Sequence, residues 1–447
     1  MSAVRALGRA ALSAALLVSA VGAAPSFARG ALSPGQDLRT LPSGALAILQ
    51  PDPQQPVAAL GLWFRAPSGG FDAAAVPGIS RFAATAIADS APITGTPLAE
   101  LIRREGGRLT ISAFPDSISV TAVVPPDVAA ATLRAMTTAY FAPVLTDAGI
   151  TATRGDAASD ALVRSFDPDD ATEDALDTVL FPDGPFHFGR IGQVPALRSV
   201  TAAAVRAFTE RAFAPANAVV VLTGAVGPDA LDAVTARSAG NAGVLATPPP
   251  IPAYTAPAAP MVISDANVEA SGLGWRGPAI ADEDAATSMD FLAASLFSAN
   301  GAVTRALVGH KATASARFVT YHAPGIFLVT ITGAEADAVR PLVAAAIAAA
   351  ATPMAPAAFD AARARFYFGV LQDDTSAALV NDTNGWYTLE GAPGYSPGAV
   401  PLHGRYATIA RALTARGVAA VAARYLTTPP AIVTLHRAAP PSGARAS

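Results

Sequence analysis

The chain has 447 residues, with 30 Lys+Arg against 34 Asp+Glu and a formal net charge of −4, long enough for two or more domains with cores of their own. Hydrophobic residues make up 52% and charged residues 14%, which excludes a disordered chain, and the mild acidity argues against a nucleic-acid binder, which carries a basic patch or stripe. There is no cysteine, so disulfide frameworks, thiolate zinc sites and cysteine nucleophiles are excluded together.

The first 28 residues read as a secretory signal. Arg5 and Arg9 form a positive start, residues 10–24 are apolar, and Ser26-Phe27-Ala28 places small residues at −3 and −1 of a cleavage point after Ala28. The apolar run is short for a permanent span, and an uncleaved anchor is the competing reading. An exported, periplasmic protein without a stable membrane anchor is expected.

Residues 45–50 and 57–65 read as strands joined by the turn Pro51-Asp52-Pro53. A helix over 79–90 follows, then a hairpin of 109–113 with 117–124 around Phe114-Pro115-Asp116, a helix crossing the Asp-rich stretch 160–174, a helix over 202–212 and a strand over 216–223. The stretch from Pro248 to Pro257 is proline-rich, which stiffens a segment and prevents regular pairing. The expected organisation is a signal at 1–28, a first domain at 29–241, a linker at 242–260, a second domain at 261–440 and a tail at 441–447.

The two halves share local pattern. Gly61-Leu62-Trp63-Phe64-Arg65-Ala66-Pro67 matches Gly272-Leu273-Gly274-Trp275-Arg276-Gly277-Pro278, and each is followed by an Ala-rich helix, the second over 285–298. A later helix follows in each half, at 160–174 and 359–374. Matching elements at matching spacing predict a duplicated domain. Strands joined by tight turns predict an α+β fold with antiparallel pairing.

Three passages resemble the M16 metallopeptidases, the group of insulinase, pitrilysin and the mitochondrial processing peptidase: Leu41-Pro42-Ser43-Gly44 with Gly78-Ile79-Ser80-Arg81-Phe82, the loop 181–192, and the helix-to-strand passage 208–218. Taken in order they span roughly residues 36–436. The resemblance implies two homologous domains, each an antiparallel sheet with helices on one face, forming a clamshell around a peptide chamber. It also implies a zinc signature, His-x-x-Glu-His, on the first helix. Register from Gly78-Ile79 places that motif on Arg81-Phe82-Ala83-Ala84-Thr85, so Arg81 stands for the first histidine, Ala84 for the glutamate base and Thr85 for the second histidine. Arginine stays protonated and cannot ligate zinc, alanine accepts no proton, and no histidine precedes His187. The third ligand position falls on Asp160, which would either pair with Arg81 or remain an exposed helix carboxylate.

The family's substrate-contacting Arg and Tyr fall on Lys311 and Phe318. The first keeps a charge without the bidentate fork. The second keeps a ring without the hydroxyl, and a strand core residue is the alternative. Elsewhere, His187, His310, His322, His403 and His436 show no ligand spacing, and Asp167-Pro168-Asp169-Asp170 reads as a helix start before a calcium loop. Trp63 with Gly385-Trp386-Tyr387 would be core aromatics or the lining of a peptide groove.

The expectation is a non-catalytic subunit without a cofactor of its own, which helps enclose peptide for a zinc-bearing catalytic paralogue in a heterodimer. A stand-alone peptide binder or scaffold is the alternative, and no nucleic-acid partner is expected.

Overall fold

The computed structural model describes residues 37–71, 76–90, 95–235, 251, 253–255, 257, 259–321, 324–373, 375–391 and 406–438. The expected signal 1–28, the tail 441–447, most of the linker, His322 and His403 lie outside them.

The first half runs β1 (Asp37–Thr40), β2 (Leu46–Pro51), β3 (Ala58–Arg65), α1 (Ile79–Asp89), α2 (Leu98–Arg104), β4 (Arg108–Ala113), β5 (Ser117–Val124), α3 (Ala129–Phe141), α4 (Asp147–Ser165), α5 (Pro168–Leu180), α6 (Val194–Ser199), α7 (Ala202–Ala212), β6 (Ala218–Gly224) and α8 (Pro228–Thr235). The second runs β7 (Met261–Ala266), β8 (Ala270–Arg276), α9 (Glu283–Leu296), α10 (Ala302–Ala306), β9 (Thr313–Val319), β10 (Ile326–Thr332), α11 (Ala336–Ala348), α12 (Pro356–Asp373), α13 (Ala377–Gly391), α14 (Tyr406–Ala412), α15 (Ala415–Tyr425) and β11 (Ala431–Arg437). Among the described residues no single helix is long and apolar enough to cross a membrane.

The expected elements form with boundaries shifted by up to three residues, and four expectations are corrected. The helix expected across 160–174 is two helices. It breaks at Phe166-Asp167, because Pro168 has no N–H to continue α4 and instead starts α5, with the Asp167 carboxylate accepting from the Asp169 and Asp170 amides. The strands β2 and β3 are not neighbours. β6 lies between them in the order β1-β2-β6-β3-β5-β4, parallel to β2 and antiparallel to β3, so neither sheet is wholly antiparallel.

The second sheet repeats this order as β7-β11-β8-β10-β9, with β7 and β11 again parallel. Two sheets with the same crossover establish the duplication at the level of topology. The third correction concerns the two tryptophans. Trp63 points to the face between the halves and Trp275 to the opposite face, among the helices of its own half. Successive strand residues alternate faces, so the partner of Trp275 is Phe64, and Trp63 corresponds to Gly274.

Both faces of each sheet are covered, which corrects the expectation of helices on one face only. Leu60, Leu62 and Phe64 of β3 pack with Phe82, Tyr140 and Phe213 of the local helices. The other face is covered by the opposite half: α13 lies on β3 and β6, and α5 on β8, β10 and β11. This explains why β3 and β6 are buried along their whole length and read as near-continuous apolar runs.

The two exchanged helices seat in the same way. Arg65, at the end of β3, donates to the Leu389 carbonyl near the end of α13 at 3.5 Å, and Arg276, at the end of β8, donates to the Leu180 carbonyl ending α5 at 2.9 Å. The strand and helix exchange bulk. In the first half Trp63 fills the space left by Gly385, where a Cβ would come within 2.0 Å of the indole nitrogen. In the second, Leu176 of the helix fills the space left by Gly274. Trp63, Phe114, Trp386, Phe186 and Tyr321 then form one aromatic core joining the halves.

Candidate functional site

Helix α1 begins at Gly78, whose backbone is left-handed (φ 81°). A Cβ there would meet the Ile191 carbonyl at 2.3 Å, and one at Gly192 would meet Pro77 at 2.6 Å. Two of the passages that carry the family resemblance therefore touch, at the start of the helix that carries the motif positions.

On α1, Arg81 faces α4 and the edge strand β4. Its guanidinium donates to Asp160 Oδ2 at 3.0 Å and to the Ile111 carbonyl of β4. The arginine and carboxylate at the positions expected to replace metal ligands thus form an ion pair. It is partly open, with side-chain exposures of 21% and 48%, so it contributes at most about 1 kcal/mol. Ala84 is fully buried, its carbonyl accepting from the Tyr140 hydroxyl at 2.9 Å, and Thr85 is half-buried. One turn on, Asp89 accepts from Thr153 Oγ1 at 2.7 Å. Burial raises the Asp89 carboxyl above its ordinary value against that hydrogen bond, with Asp156 adding to the rise and Arg81 opposing it.

These residues do not fit zinc. The guanidinium is a cation and donates both of its contacts, the position of the base carries a methyl group packed away from water, and Thr85 lacks a nitrogen ligand. Among the described residues no three His, Asp or Glu converge closely enough to hold a metal.

Phe318 does not serve the substrate role expected of it. It is 1% exposed, and its ring occupies the room left by Gly277 and Gly325, where a Cβ would come within 2.6 Å of it. A peptide cannot reach it. Lys311 is exposed after α10, its carbonyl facing Gly333. Trp63, Trp386 and Tyr387 are core and not groove lining. His187 faces the Phe181 carbonyl, His310 faces Glu335, and His436 faces Glu269.

Sequence reasoning missed an ionic cluster between the halves. Glu173 of α5 is 1% exposed and accepts from Arg164 at 2.9 Å, from Arg190 at 2.9 and 2.7 Å, and from Arg317 of the second half. Beside it Asp177 is fully buried with no hydrogen-bond partner on either oxygen, and the Tyr321 hydroxyl is also unpaired. Burial, and then Glu173 and Asp174, push the Asp177 carboxyl well above the carboxylate range. The sequence signal was present only as acidic residues on a helix, which reads as a solvated face.

Comparison with known proteins follows the same lines. Residues 199–366, from the end of α6 into α12, match the family model described as the peptidase M16 inactive domain. No curated protein sequence matches the chain significantly. Among solved structures, a protease from Helicobacter pylori superposes with a TM-score of 0.77 at 17% identity, covering 90% of this chain and 99% of its own. A peptidase M16 inactive domain from Pseudomonas fluorescens gives 0.71 at 16%, covering 91% and 99%. A chain of Complex III2 from Candida albicans, solved with Inz-5 bound, gives 0.73 at 13%, covering 89% and 94%. At these identities the structural likeness is one of fold.

Proposed function

We propose that this chain, which matches the peptidase M16 inactive-domain model over residues 199–366 and shares the fold of M16-like structures, is a non-catalytic subunit of an exported M16-type zinc peptidase complex. The observation that carries the reading is the Arg81–Asp160 ion pair, at positions where the resemblance would put two metal ligands, with Ala84 at the position it would give the base. The ion pair also ties α1 to α4 and, through the Ile111 carbonyl, to the edge strand. In this reading the position has become structural, and zinc belongs to a paralogous partner.

The halves of this chain already meet through a shared core, so a peptide chamber would be enclosed between this chain and the partner. A chain of similar fold stands in a multi-subunit assembly, Complex III2. The chain would contribute binding surface, with extended peptide added to a sheet edge. The apolar stretch after Arg5 and Arg9 supports export to the periplasm.

The test is a pull-down of the tagged mature protein from its native periplasm, with mass spectrometry of what elutes in equal amount, beside zinc and peptidase assays of the purified chain. A partner bearing His-x-x-Glu-His supports the proposal. Elution alone with bound peptides turns the reading to a stand-alone peptide binder. Stoichiometric zinc and turnover by the chain alone overturn it.

A further inference from the structure

The second half repeats the helix pair that holds Arg81 and Asp160. Positions 81 and 290, 89 and 298, 153 and 362, and 160 and 369 all differ by 209 residues and lie on corresponding helices, α1 with α9 or α4 with α12, or at the start of the turn that follows α9. The same offset carries Arg154 onto Arg363. Arg154 donates to the Val200 carbonyl just before the Thr201 cap of α7, and Arg363 to the Leu413 carbonyl just before the Thr414 cap of α15.

At the counterpart of the ion pair the chemistry is inverted. Asp290 stands for Arg81, and Gly369 for Asp160, so no side chain reaches toward Asp290 from position 369 of α12. The space left is a cavity of about 270 Å³, walled by Ala294, Ala362, Phe366 and Val370, with Ser295, Ser298 and Arg365 also lining it. Asp290 is 5% exposed and lines this cavity; the Tyr406 hydroxyl donates to its Oδ2 at 2.9 Å, the one hydrogen bond its carboxylate shows among the described residues. The other titratable groups around this pair are Tyr387 of α13, Asp373 at the end of α12 and Glu283 at the start of α9. None of these is a cation, and Arg365 among the lining residues is exposed to solvent.

We propose that this cavity binds a small apolar molecule carrying a protonated primary amine, its ammonium on Asp290 and its hydrocarbon against Ala294, Ala362, Phe366 and Val370. A buried carboxylate requires a partner, and an ammonium brings both opposite charge and hydrogen-bond donors. The volume is ample for one ring, since a 150 Å³ apolar cavity holds benzene. Burial keeps the Asp290 carboxyl well above its ordinary range, against the Tyr406 hydrogen bond. Binding the cation therefore releases the carboxyl proton to solvent, and affinity rises with pH while Asp290 is still protonated in the free protein.

The test is calorimetry on the mature chain with benzylamine and its neutral counterpart benzyl alcohol, in two buffers of different ionisation enthalpy. Benzylamine is expected to bind about 10-fold tighter or more, with proton release and with higher affinity at pH 8 than at pH 5.5. Asp290→Asn is expected to abolish the preference. Gly369→Leu places a side chain into the cavity from a helical position where a Cβ meets nothing within 4 Å, and is expected to abolish binding of both probes with the far-UV spectrum unchanged. Equal binding of the two probes, binding of neither, or an undiminished preference in Asp290→Asn overturns the proposal.

Discussion

Replacing Glu173 by glutamine tests whether the ionic cluster couples the halves. The carboxylate takes hydrogen bonds from three arginines, one of them, Arg317, on β9 of the second half. Glutamine keeps the shape but offers one neutral oxygen and turns an N–H₂ toward guanidinium donors. Three buried cations then lose their shared counter-charge, although Arg164 keeps Asp170 and Asp174. Breaking a buried pair from one side costs about 3–5 kcal/mol, and that range is the expected loss in urea unfolding at pH 7. Burial alone would raise the Glu173 carboxyl, but Arg190, Arg317 and Arg164 override it and hold the group well below its ordinary 4.5. A lowered folded value stabilises above the unfolded one, so the gap between wild type and variant is constant above about pH 5 and narrows as the pH falls below 4.5. Comparing the two proteins cancels the buried acids remote from Glu173, whose raised values act in the opposite direction, while Asp177 and Asp170 lose the upward push of the Glu173 charge. A loss under about 1 kcal/mol at pH 7, or a gap that does not change with pH, refutes the reasoning.

Other outcomes follow from single contacts. Arg81→Met is expected to cost at most about 1 kcal/mol in thermal unfolding, because its partner Asp160 is half exposed. Gly385→Ala drives a methyl into the Trp63 indole and should cost about 1–3 kcal/mol, partly recovered in the double variant with Trp63→Phe, as a cycle of four proteins will show. Burial raises Asp382 to about 7. A raised carboxyl is favoured protonated in the folded state, so Asp382→Asn should stabilise at pH 8 and do little at pH 4, read from denaturation midpoints at both.

What could be read from the chain beforehand was local or periodic. The apolar runs of β3 and β6, the proline punctuation and the Trp-bearing passages 61–67 and 272–278 shared by the halves led to the elements and the duplication. The positions Arg81 and Asp160 were singled out through the family resemblance, and the structure brings these two together as an ion pair. Sheet order was not legible, because placing β6 between β2 and β3 is decided by pairing across some 160 residues. The matched tryptophans misled because composition draws the eye while face is set by a shift of one residue. Glu173 was invisible because its partners Arg190 and Arg317 stand 17 and 144 residues away, and no spacing rule links them. Asp290 was passed over for the same reason: an acid in an Ala-rich helix looks solvated until Tyr406 is seen beside it.

The exchange of α5 and α13 between the sheets bears on how the molecule comes apart. Each half, expressed alone, would expose the apolar inner face of its own sheet and carry a helix with nowhere to dock. The proline-rich segment is thus a tether between two parts of one cooperative folding unit, and not a border between two autonomous ones. A single protease cut there should leave two fragments that stay together through size-exclusion chromatography and melt in one transition. The duplication that produced this chain joined two copies of a unit which, in the present sequence, can be completed only by each other.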